Sequence, residues 1–486
     1  MIRRAKIIAT VGPASRDEPT LERLVMAGVN VARLNFSHGT HDEHEEVIAA
    51  IRRISEKTGR VVGILQDLQG PKIRVGEIPT PLQLADGEQV VLFAERTKPP
   101  RRAVQVIPVD FRELFECVHE GDRLLLDDGR LALEVVSVDD NWLMARVTVG
   151  GLLSSHKGIN LPGVRLRIAG FTSKDEADLK FGMSQGIDAV AISFVRSAAD
   201  VRKVRSVMEG LLTGPTLPLL IAKLEKPEAL DDLDAILDGV DGVMVARGDL
   251  GVELPPEQVP ALQKRIIRAA NARGRLVITA TQMLESMVSN RLPTRAEASD
   301  VANAVFDGTD AVMLSAESAS GKYPVEAVQM MDRIVCEAES HFMEWGKESG
   351  LPDAMETDDA ASMAHAARAL ANDKNVTAVA SFTMRGQSAS LISKIRPPVP
   401  ILGFTPERET YRRLAFFWGV RPQLVPFANT LEEMLRYVDA ALRATVQPGD
   451  QVVLICGYPV GAVRLPNMAL LYTVGSDQTP IQMRKP

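Results

Sequence analysis

Cysteine is scarce in this sequence. Its 486 residues include three cysteines, Cys117, Cys336 and Cys456, which lie far apart along the chain. An odd number of widely spaced cysteines excludes both a disulfide scaffold and a CxxC metal knuckle. Because unpaired cysteines are usual in a reducing compartment, we expect a cytoplasmic protein.

Long apolar runs and an excess of basic charge are also lacking. The apolar run after Lys6 ends at Gly12-Pro13, and no stretch approaches the ~18 apolar residues of a membrane span. We therefore expect neither an export signal nor a membrane segment. The formal net charge is −7, which does not favour nucleic acid or an acidic membrane as a partner.

Low-complexity tracts are absent as well. With 45% hydrophobic and 24% charged residues, the composition is that of an ordinary soluble globular protein rather than a disordered one. At about 150 residues per domain, the length predicts roughly three domains.

Short apolar runs, each ended by a polar cluster, recur through the first two-thirds of the chain. They cover residues 6–11, 29–36, 61–65, 189–194, 219–223, 242–247, 276–281 and 311–315. Helical patterns separate most of them, as at 294–306, where Thr294 and Glu297 match a capping box. Eight strands alternating with helices predict an α/β fold with a closed (β/α)8 TIM barrel. A doubly wound open sheet is the alternative.

The rest of the chain predicts two further domains. Between the third and fourth strands the sequence contains short strands and tight turns, with an Asp128-Gly129 hairpin signal, which predicts an inserted all-β domain. After a polar linker at 347–359, five more strand-like runs predict an open α/β sheet. The predicted division is barrel at 1–75 and 171–345, inserted β-barrel lid at 76–170, and a C-terminal regulatory domain at 346–486.

Polar residues follow the predicted barrel strands, at the face where barrel loops carry chemistry. They include Arg33, Asn35, Ser37, Asp67, Lys223, Glu225, Asp249, Thr279, Thr281, Ser315 and Glu317. For any single pair, a solvated rim is an equally good interpretation. Charged groups at five of the eight strand ends instead favour one convergent site.

Glu225 and Asp249 suit a hard divalent cation such as Mg²⁺, with Mn²⁺ as an alternative. Lys223 would lie beside that cation and supply positive charge to a phosphate or an enolate oxygen. A simple ion pair between Lys223 and Glu225 is also compatible with the pattern. Gly248 would let a ligand approach the backbone, and a helix after Asp249 would add N–H donors.

Standard kinase motifs and the spacing of zinc ligands are both missing. The segment 316–323 resembles a P-loop only superficially, because its first Gly is Ala316 and Tyr323 replaces Ser or Thr. His38, His41 and His44 cross a loop-to-helix boundary, so solvated or phosphate-facing histidines are expected rather than zinc ligands.

Several longer segments together resemble the pyruvate kinase family over nearly the whole chain. They are KIIATVGPAS at 6–15, NVARLNFSHG at 30–39, KGINLP at 157–162, VMVARGDLG at 243–251, ATQMLESM at 280–287 and PTRAE at 293–297. The resemblance implies transfer of the phosphoryl group of phosphoenolpyruvate to ADP, giving ATP and pyruvate.

The resemblance also implies residue roles. Lys223 would stabilise the phosphoryl group during its transfer, and Glu225 and Asp249 would hold Mg²⁺. Phosphoenolpyruvate would be positioned by Arg33, Thr281 and the backbone of Ala246, Gly248 and Asp249. The nucleotide would face Arg74, His38 and, from the lid, Lys157. Thr281, Ser315 and Glu317 are candidates for ordering the water that protonates the enolate, because a Thr hydroxyl alone is too weak an acid.

One departure from the family pattern concerns potassium. Groups matching Asn35, Ser37, Asp67 and Leu68 bind K⁺ in potassium-dependent members, whose motif continues to a Glu where this chain has Lys72. The hypothesis is that Lys72 acts as an internal monovalent cation and that K⁺ is not required. A solvated lysine at a loop end is the alternative interpretation.

The resemblance further implies a homotetramer with a phosphorylated allosteric effector at the C-terminal domain. The loop 383–388 resembles the family's effector loop, although a plain strand–helix turn fits equally well. Two other functions remain open: a Mg²⁺-dependent aldolase or lyase, and a non-catalytic relative. The nucleotide-facing residues argue against the first, and the intact Lys223, Glu225, Asp249 and Thr281 argue against the second.

Overall fold

The computed structural model describes residues 3–98, 105–164, 170–212, 214, 216–346, 359–372 and 375–476. Most of the predicted linker at 347–359 lies outside these residues. No helix in the described part of the chain is long and apolar enough to cross a membrane.

The chain begins with three barrel strands and two helices. The strands are β1 (Lys6–Val11), β2 (Val31–Asn35) and β3 (Gly63–Asp67), and the helices are α1 (Glu18–Ala27) and α2 (His41–Thr58). Thr40 and Glu43 form a capping box that starts α2, and Gly59 ends it in the left-handed conformation. The helix start places His38 in the preceding loop, as the sequence predicts.

An inserted domain follows β3. Its strands are β4 (Leu82–Leu84), β5 (Gln89–Ala94), β6 (Val106–Val109), β7 (Arg123–Leu126), β8 (Leu131–Asp139), β9 (Trp142–Val149), β10 (Gly151–Leu153) and β11 (Ile159–Asn160). Six form a sheet in the order β11-β7-β8-β9-β5-β6, and β10 pairs with β4. The predicted hairpin joins β7 to β8, with Asp127, Asp128 and Gly129 all at positive φ. The β architecture is confirmed, with one short helix, α3 (Leu114–Cys117).

The second part of the barrel completes the eight strands. They are β12 (Ala189–Ile192), β13 (Leu219–Leu224), β14 (Gly242–Ala246), β15 (Leu276–Ala280) and β16 (Ala311–Leu314). Its helices are α4 (Ser173–Ser184), α5 (Ala198–Gly210), α6 (Pro227–Asp231), α7 (Leu233–Gly239), α8 (Arg247–Glu253), α9 (Val259–Ala272), α10 (Arg295–Asp307), α11 (Ala316–Ala319), α12 (Pro324–Ser340) and α13 (Phe342–Trp345). β1 pairs in parallel with both β2 and β16, so the barrel is closed and the open-sheet alternative is wrong.

Several predicted strand ends are wrong by a few residues. The strand predicted at 242–247 ends at Ala246, and helix α8 begins at Arg247, so Asp249 lies in the first turn of a helix rather than before one. The strand predicted at 276–281 ends at Ala280, and Thr281 lies in the following turn. Glu317 lies in α11 rather than on a strand.

The C-terminal domain is an open α/β sheet, as predicted. Its strands are β17 (Val376–Phe382), β18 (Ile401–Thr405), β19 (Val420–Leu424), β20 (Gln451–Cys456) and β21 (Met468–Thr473), in the order β19-β18-β17-β20-β21. Its helices are α14 (Asp359–Ala371), α15 (Gln387–Lys394), α16 (Arg408–Arg413) and α17 (Leu431–Leu442). The strands pair in parallel except for β21, which is antiparallel to β20.

Buried ion pairs join this domain to the barrel. Lys394 pairs with Asp310 and donates a hydrogen bond of 2.9 Å to Asn271 Oδ1. Arg412 Nε lies 2.7 Å from Asp188 Oδ1. The contacts lie at the face of the barrel opposite the carboxyl ends of its strands, so they leave the predicted site open.

Candidate active site

Lys223 is the centre of a buried charged cluster at the carboxyl ends of β3, β12 and β13. Its Nζ lies 2.7 Å from Glu225 Oε1 and 3.4 Å from Asp67 Oδ1. It also donates a hydrogen bond of 2.8 Å to the hydroxyl of Ser193. The predicted ion pair with Glu225 is therefore present, and Asp67 joins it.

The charges of this cluster shift one another's pKa. Burial lowers the pKa of Lys223, but three carboxylates raise it above its ordinary value; they belong to Asp67, Glu225 and Asp249. Burial raises the pKa of Asp67, but the facing Lys223 and Arg33 hold it below its usual range. Burial and the negative charge of Asp249 raise the pKa of Glu225, although Lys223 opposes them.

Three carboxylates thus face two cations, Lys223 and Arg33, which leaves an excess of negative charge. Among the described residues, no group of three or more His, Cys, Asp or Glu side chains is arranged to hold a metal ion. The pair Glu225 and Asp249 consists of hard oxygen donors, which suits a divalent cation whose remaining ligands are substrate oxygens and water. The residues present therefore fit Mg²⁺.

Arg33 connects this cluster to an adjacent cavity. Its Nε donates a hydrogen bond of 2.7 Å to Asp67 Oδ2, and its Nη1 donates one of 2.9 Å to Thr10 Oγ1. Arg33 also lines a cavity of about 690 Å³ together with Asn35, His38, Thr281 and Ser315. The structure therefore brings five of the predicted site residues to one cavity.

The start of α8 contacts the turn after β15, whose Thr281 lines this cavity. The Gly248 N–H donates a hydrogen bond of 2.7 Å to Thr281 Oγ1. Thr281 and the next residue, Gln282, have φ values of +66° and +53°. Left-handed backbone is costly for residues other than glycine, so surrounding contacts must hold this turn in place. Ala246 is buried at the end of β14, one residue before α8.

Ser315 and Glu317 are linked by a backbone contact. The Glu317 carboxylate is fully buried and accepts hydrogen bonds from the N–H groups of Ser315 (2.7 Å) and Leu284 (3.0 Å). The Ser315 hydroxyl is buried and, among the described residues, has no hydrogen-bond partner. Glu317 therefore fixes the backbone of Ser315, a residue that lines the cavity.

Residues of the predicted monovalent-cation pocket form local hydrogen bonds. Asn35 Oδ1 accepts a hydrogen bond of 3.1 Å from the Ser37 N–H, and the Leu68 carbonyl accepts one of 2.7 Å from Ser193 Oγ. The Lys72 stem runs against the inserted domain, since a Cβ built on Gly158 would lie 2.9 Å from Lys72 Cε.

Two residues that are predicted to bind the nucleotide contact residues of the inserted domain. Lys157 Nζ lies 2.8 Å from Asp127 Oδ1, and Arg74 Nη1 donates a hydrogen bond of 3.0 Å to the His156 carbonyl. Burial lowers the pKa of His38, and the nearby positive charges of Arg74, Lys72 and Arg33 lower it further.

The other two histidines have structural contacts. His41 Nε2 lies 2.8 Å from Asp178 Oδ1, and the ring of His44 stacks on Phe36 with centroids 4.0 Å apart. The ring of His44 is buried rather than solvated, because the capping box starts α2 at His41 and turns this position inward, but the residue lines the same cavity as His38.

Sequence reasoning missed Ser193 and Thr10. Both hydroxyls contact the charged cluster, through Lys223 and Arg33 respectively. Ser193 directly follows β12, so the criterion that selected the other strand-end residues could have found it. Thr10 lies within β1, where nothing in the sequence distinguishes an inward hydroxyl from a core position.

The chain is similar to known proteins over nearly its whole length. Residues 2–328 match the family described as "Pyruvate kinase, barrel domain", and residues 361–471 match "Pyruvate kinase, alpha/beta domain". It is 46% identical over 463 residues to a pyruvate kinase of Agrobacterium vitis, covering 94% of this chain and 95% of the relative.

Two further relatives give the same result. The chain is 44% identical to a pyruvate kinase of Geobacillus stearothermophilus, covering 98% of this chain and 81% of the relative. It is 42% identical to one of Mycobacterium tuberculosis, covering 98% of this chain and 100% of the relative. These matches confirm the predicted resemblance and the prediction of a phosphotransferase, and the aldolase and non-catalytic alternatives find no support in them. With its closed barrel, inserted β domain and C-terminal α/β sheet, the chain belongs to the pyruvate kinase family.

Proposed function

We propose that this enzyme transfers the phosphoryl group of phosphoenolpyruvate to ADP, with Mg²⁺ or Mn²⁺ held by Glu225 and Asp249. The observation that carries the proposal is the position of Lys223 among the carboxylates of Asp67, Glu225 and Asp249, of which the first two are buried and which keep it charged. Bound Mg²⁺ would supply a Lewis acid for the phosphoryl oxygens.

In this proposal Lys223 stabilises the charge that spreads over the phosphoryl oxygens during transfer. Arg33, Thr281 and the backbone from Ala246 to Asp249 orient phosphoenolpyruvate. The hydrogen bond from Arg33 to Asp67 supports this role, because it fixes the guanidinium at the edge of the cavity.

Transfer leaves the enolate of pyruvate, whose methylene carbon must receive a proton. Thr281 and Ser315 line the same cavity, so these two residues would order the water molecule that supplies this proton. Glu317 would act indirectly, through the backbone of Ser315.

The nucleotide phosphates would contact Arg74, Lys157 and His38. Lys157 is paired with Asp127, so nucleotide binding would exchange one anionic partner for another. Closure of the inserted domain would then bring positive charge to the phosphates and exclude water.

Independence of K⁺ would follow from Lys72. Its charge lowers the pKa of His38 together with those of Arg74 and Arg33, which supports a cation on this side of the site. Such a cation would replace a monovalent metal ion electrostatically.

A phosphorylated effector at the C-terminal domain is supported by a second cavity. It has a volume of about 610 Å³, lies between the barrel and the C-terminal domain, and includes Gly386 of the predicted effector loop. Its lining contains five arginines: Arg205, Arg273, Arg275, Arg385 and Arg413. Such a surface suits an anion with several phosphate oxygens.

A homotetramer and a cytoplasmic location complete the proposal; the three free cysteines agree with a reducing compartment.

The test is a pyruvate-forming assay with phosphoenolpyruvate, ADP and Mg²⁺. Turnover should require ADP and should be abolished by Lys223→Met. Lys180→Met, on the surface of α4, is the matched control and should retain activity. A folded wild-type protein without ADP-dependent turnover would reject the proposal.

The K⁺ proposal needs a separate assay in tetramethylammonium buffer free of K⁺ and Na⁺. The wild type should be fully active there. Lys72→Glu should lose activity in this buffer and recover it when K⁺ is added. A large activation of the wild type by K⁺ would contradict the role of Lys72.

A further inference from the structure

Arg247 connects two parts of the active site, and none of the roles described above uses its side chain. It is the first residue of α8 and is 9% exposed. Its side chain reaches the turn that follows β15.

The guanidinium binds the backbone of this turn through several hydrogen bonds. Nη2 donates to the carbonyl of Thr281 (2.8 Å) and to that of Gln282 (3.3 Å), and it lies 2.8 Å from Met283 Sδ. Nε donates to the carbonyl of Ala280 at 3.3 Å. One side chain therefore holds three consecutive carbonyl groups.

Two helices fix the other edge of the guanidinium. Nη1 lies 2.6 Å from Asp300 Oδ2 on α10, and it donates a hydrogen bond of 3.3 Å to Gln263 Oε1 on α9. The charge of Arg247 is thus paired, and its position is set by the barrel helices.

The turn that Arg247 holds is strained. Thr281 and Gln282 both have positive φ, a region that non-glycine residues occupy only when their surroundings enforce it. The same turn directs Thr281 Oγ1 to the Gly248 N–H at 2.7 Å. If the turn relaxed, the hydroxyl would leave both Gly248 and the cavity.

We propose that Arg247 is a positioning residue that holds Thr281 in the left-handed conformation and so places its hydroxyl for protonation of the enolate. This inference rests on the proposed function, in particular on the role of Thr281. Arg247 itself exchanges no proton; the methylene carbon of the enolate gains one from water, hydroxide leaves to the solvent, and the product is pyruvate.

The test compares Arg247→Met and Arg247→Lys with the wild type. Three quantities are measured: kcat, the KM for phosphoenolpyruvate, and the exchange of pyruvate methyl hydrogens with D₂O in the presence of Mg²⁺ and ATP. Arg247→Met should lower kcat and the exchange rate about 100-fold, because a small misplacement of a reacting group has an effect of that order. The KM should change less than about threefold, and Arg247→Lys should lose about tenfold in kcat.

A glycine at position 282 separates positioning from general stability. Glycine adopts positive φ freely, so Gln282→Gly should recover about tenfold of the kcat lost in Arg247→Met. Arg265→Met is the matched control, since Arg265 lies on α9 and donates to the Leu230 carbonyl away from the site.

The inference is overturned if Arg247→Met keeps the wild-type kcat and exchange rate. It is also overturned if adding Gln282→Gly to Arg247→Met restores neither the kcat nor the exchange rate. Should Arg247→Met not fold, Arg247→Lys and its combination with Gln282→Gly give the same comparison. A wild type without turnover would reject the proposed function instead, so the two failures are distinguishable.

Discussion

Glu225 is buried beside Asp249, and both its burial and that neighbouring charge favour its protonated form. Metal ligands must be deprotonated, so a proton and a divalent cation compete for the same carboxylate. The raised pKa of Glu225 brings this competition closer to neutral pH than it would be for an exposed glutamate.

The Mg²⁺ requirement should therefore depend on pH. Below the raised pKa of Glu225, the Mg²⁺ concentration for half-maximal activity should rise by up to about tenfold per pH unit. Steady-state assays at a series of Mg²⁺ concentrations between about pH 8 and about pH 5 measure this effect. A half-saturating concentration that stays constant over this range would contradict a metal role for Glu225.

At Lys157 the competition is between two anions, the Asp127 carboxylate of the same domain and a nucleotide phosphate. The Lys157 and Asp127 side chains are 38% and 17% exposed, so this ion pair is worth at most about 1 kcal/mol. Even so, the pair must open before Lys157 can contact a nucleotide phosphate.

Asp127→Asn should consequently lower the KM for ADP by about two- to fivefold, with little change in kcat. Asp140→Asn, an exposed change in the same domain, serves as the control and should leave the KM unaltered. An unchanged or higher KM for ADP in Asp127→Asn would argue that Lys157 does not meet the nucleotide.

At the scale of elements, β11 of the inserted domain is tied to α8 of the barrel. Asn160 Nδ2 donates a hydrogen bond of 3.1 Å to Glu253 Oε1, and Lys226 Nζ lies 2.6 Å from the same oxygen. The Glu253 side chain is 3% exposed, so this contact is a buried attachment between the two domains.

Glu253→Gln should weaken this attachment. The amide keeps an acceptor for Asn160 but loses the charge that balances Lys226, and breaking a buried pair costs about 3–5 kcal/mol. Hydrogen exchange at the amides of β11 should become faster, and the inserted domain should be cut sooner by protease. Glu176→Gln on α4, which removes an exposed pair with Lys180, is the control. Unchanged exchange in β11 would mean that the attachment lies elsewhere.

Sequence patterns predicted which elements form but not how distant ones meet. The eight barrel strands could be predicted because short apolar runs alternate with helical patterns. The contact between Asn160 and Glu253 joins residues 93 positions apart, and no periodicity encodes it. The sequence also does not predict that β14 ends at Ala246, because Arg247 fits the pattern of a polar residue at the end of a strand. In the structure its side chain instead binds the turn after β15.

The same limit applies to the candidate site. Lys223, Glu225 and Asp249 were predicted from their places after strands, and the structure brings their charges together. The pairing of Lys157 with Asp127 was not predicted, because a hairpin signal at Asp128-Gly129 says nothing about which lysine the turn faces.

At the scale of the whole molecule, charged groups are buried where the barrel meets the C-terminal domain. Lys6, in β1, donates a hydrogen bond of 2.6 Å to the Val420 carbonyl in β19. The pKa of Lys6 is lowered to about 7, chiefly by burial and also by the positive charges of Arg3 and Arg421, while Glu339 opposes them. A lysine with so low a pKa at the interface between two domains makes their association depend on pH.

The direction of this pH dependence follows from the protonation of Lys6 in the folded and the unfolded protein. The unfolded chain keeps Lys6 protonated up to its ordinary pKa of 10.5, whereas the folded protein releases the proton above about 7. Between these values each unit of decrease in pH costs the folded state about 1.4 kcal/mol, and below the folded pKa the cost is constant. The destabilisation by Lys6 is therefore greatest at and below neutral pH and disappears as the pH approaches 10.5.

Lys6→Met should remove this cost while filling a similar volume, at the expense of the hydrogen bond to Val420. Relative to the wild type, the variant should have a higher free energy of unfolding near neutral pH, and the difference should shrink by several kcal/mol toward about pH 10. Urea unfolding at both pH values measures it, with the surface variant Lys180→Met as a control whose difference stays constant. If the difference in free energy of unfolding between Lys6→Met and the wild type were also independent of pH, the Lys6 ammonium would be charged in the folded state. The interface between the barrel and the C-terminal domain would then have to hold a second anion, besides Glu339, to compensate that charge.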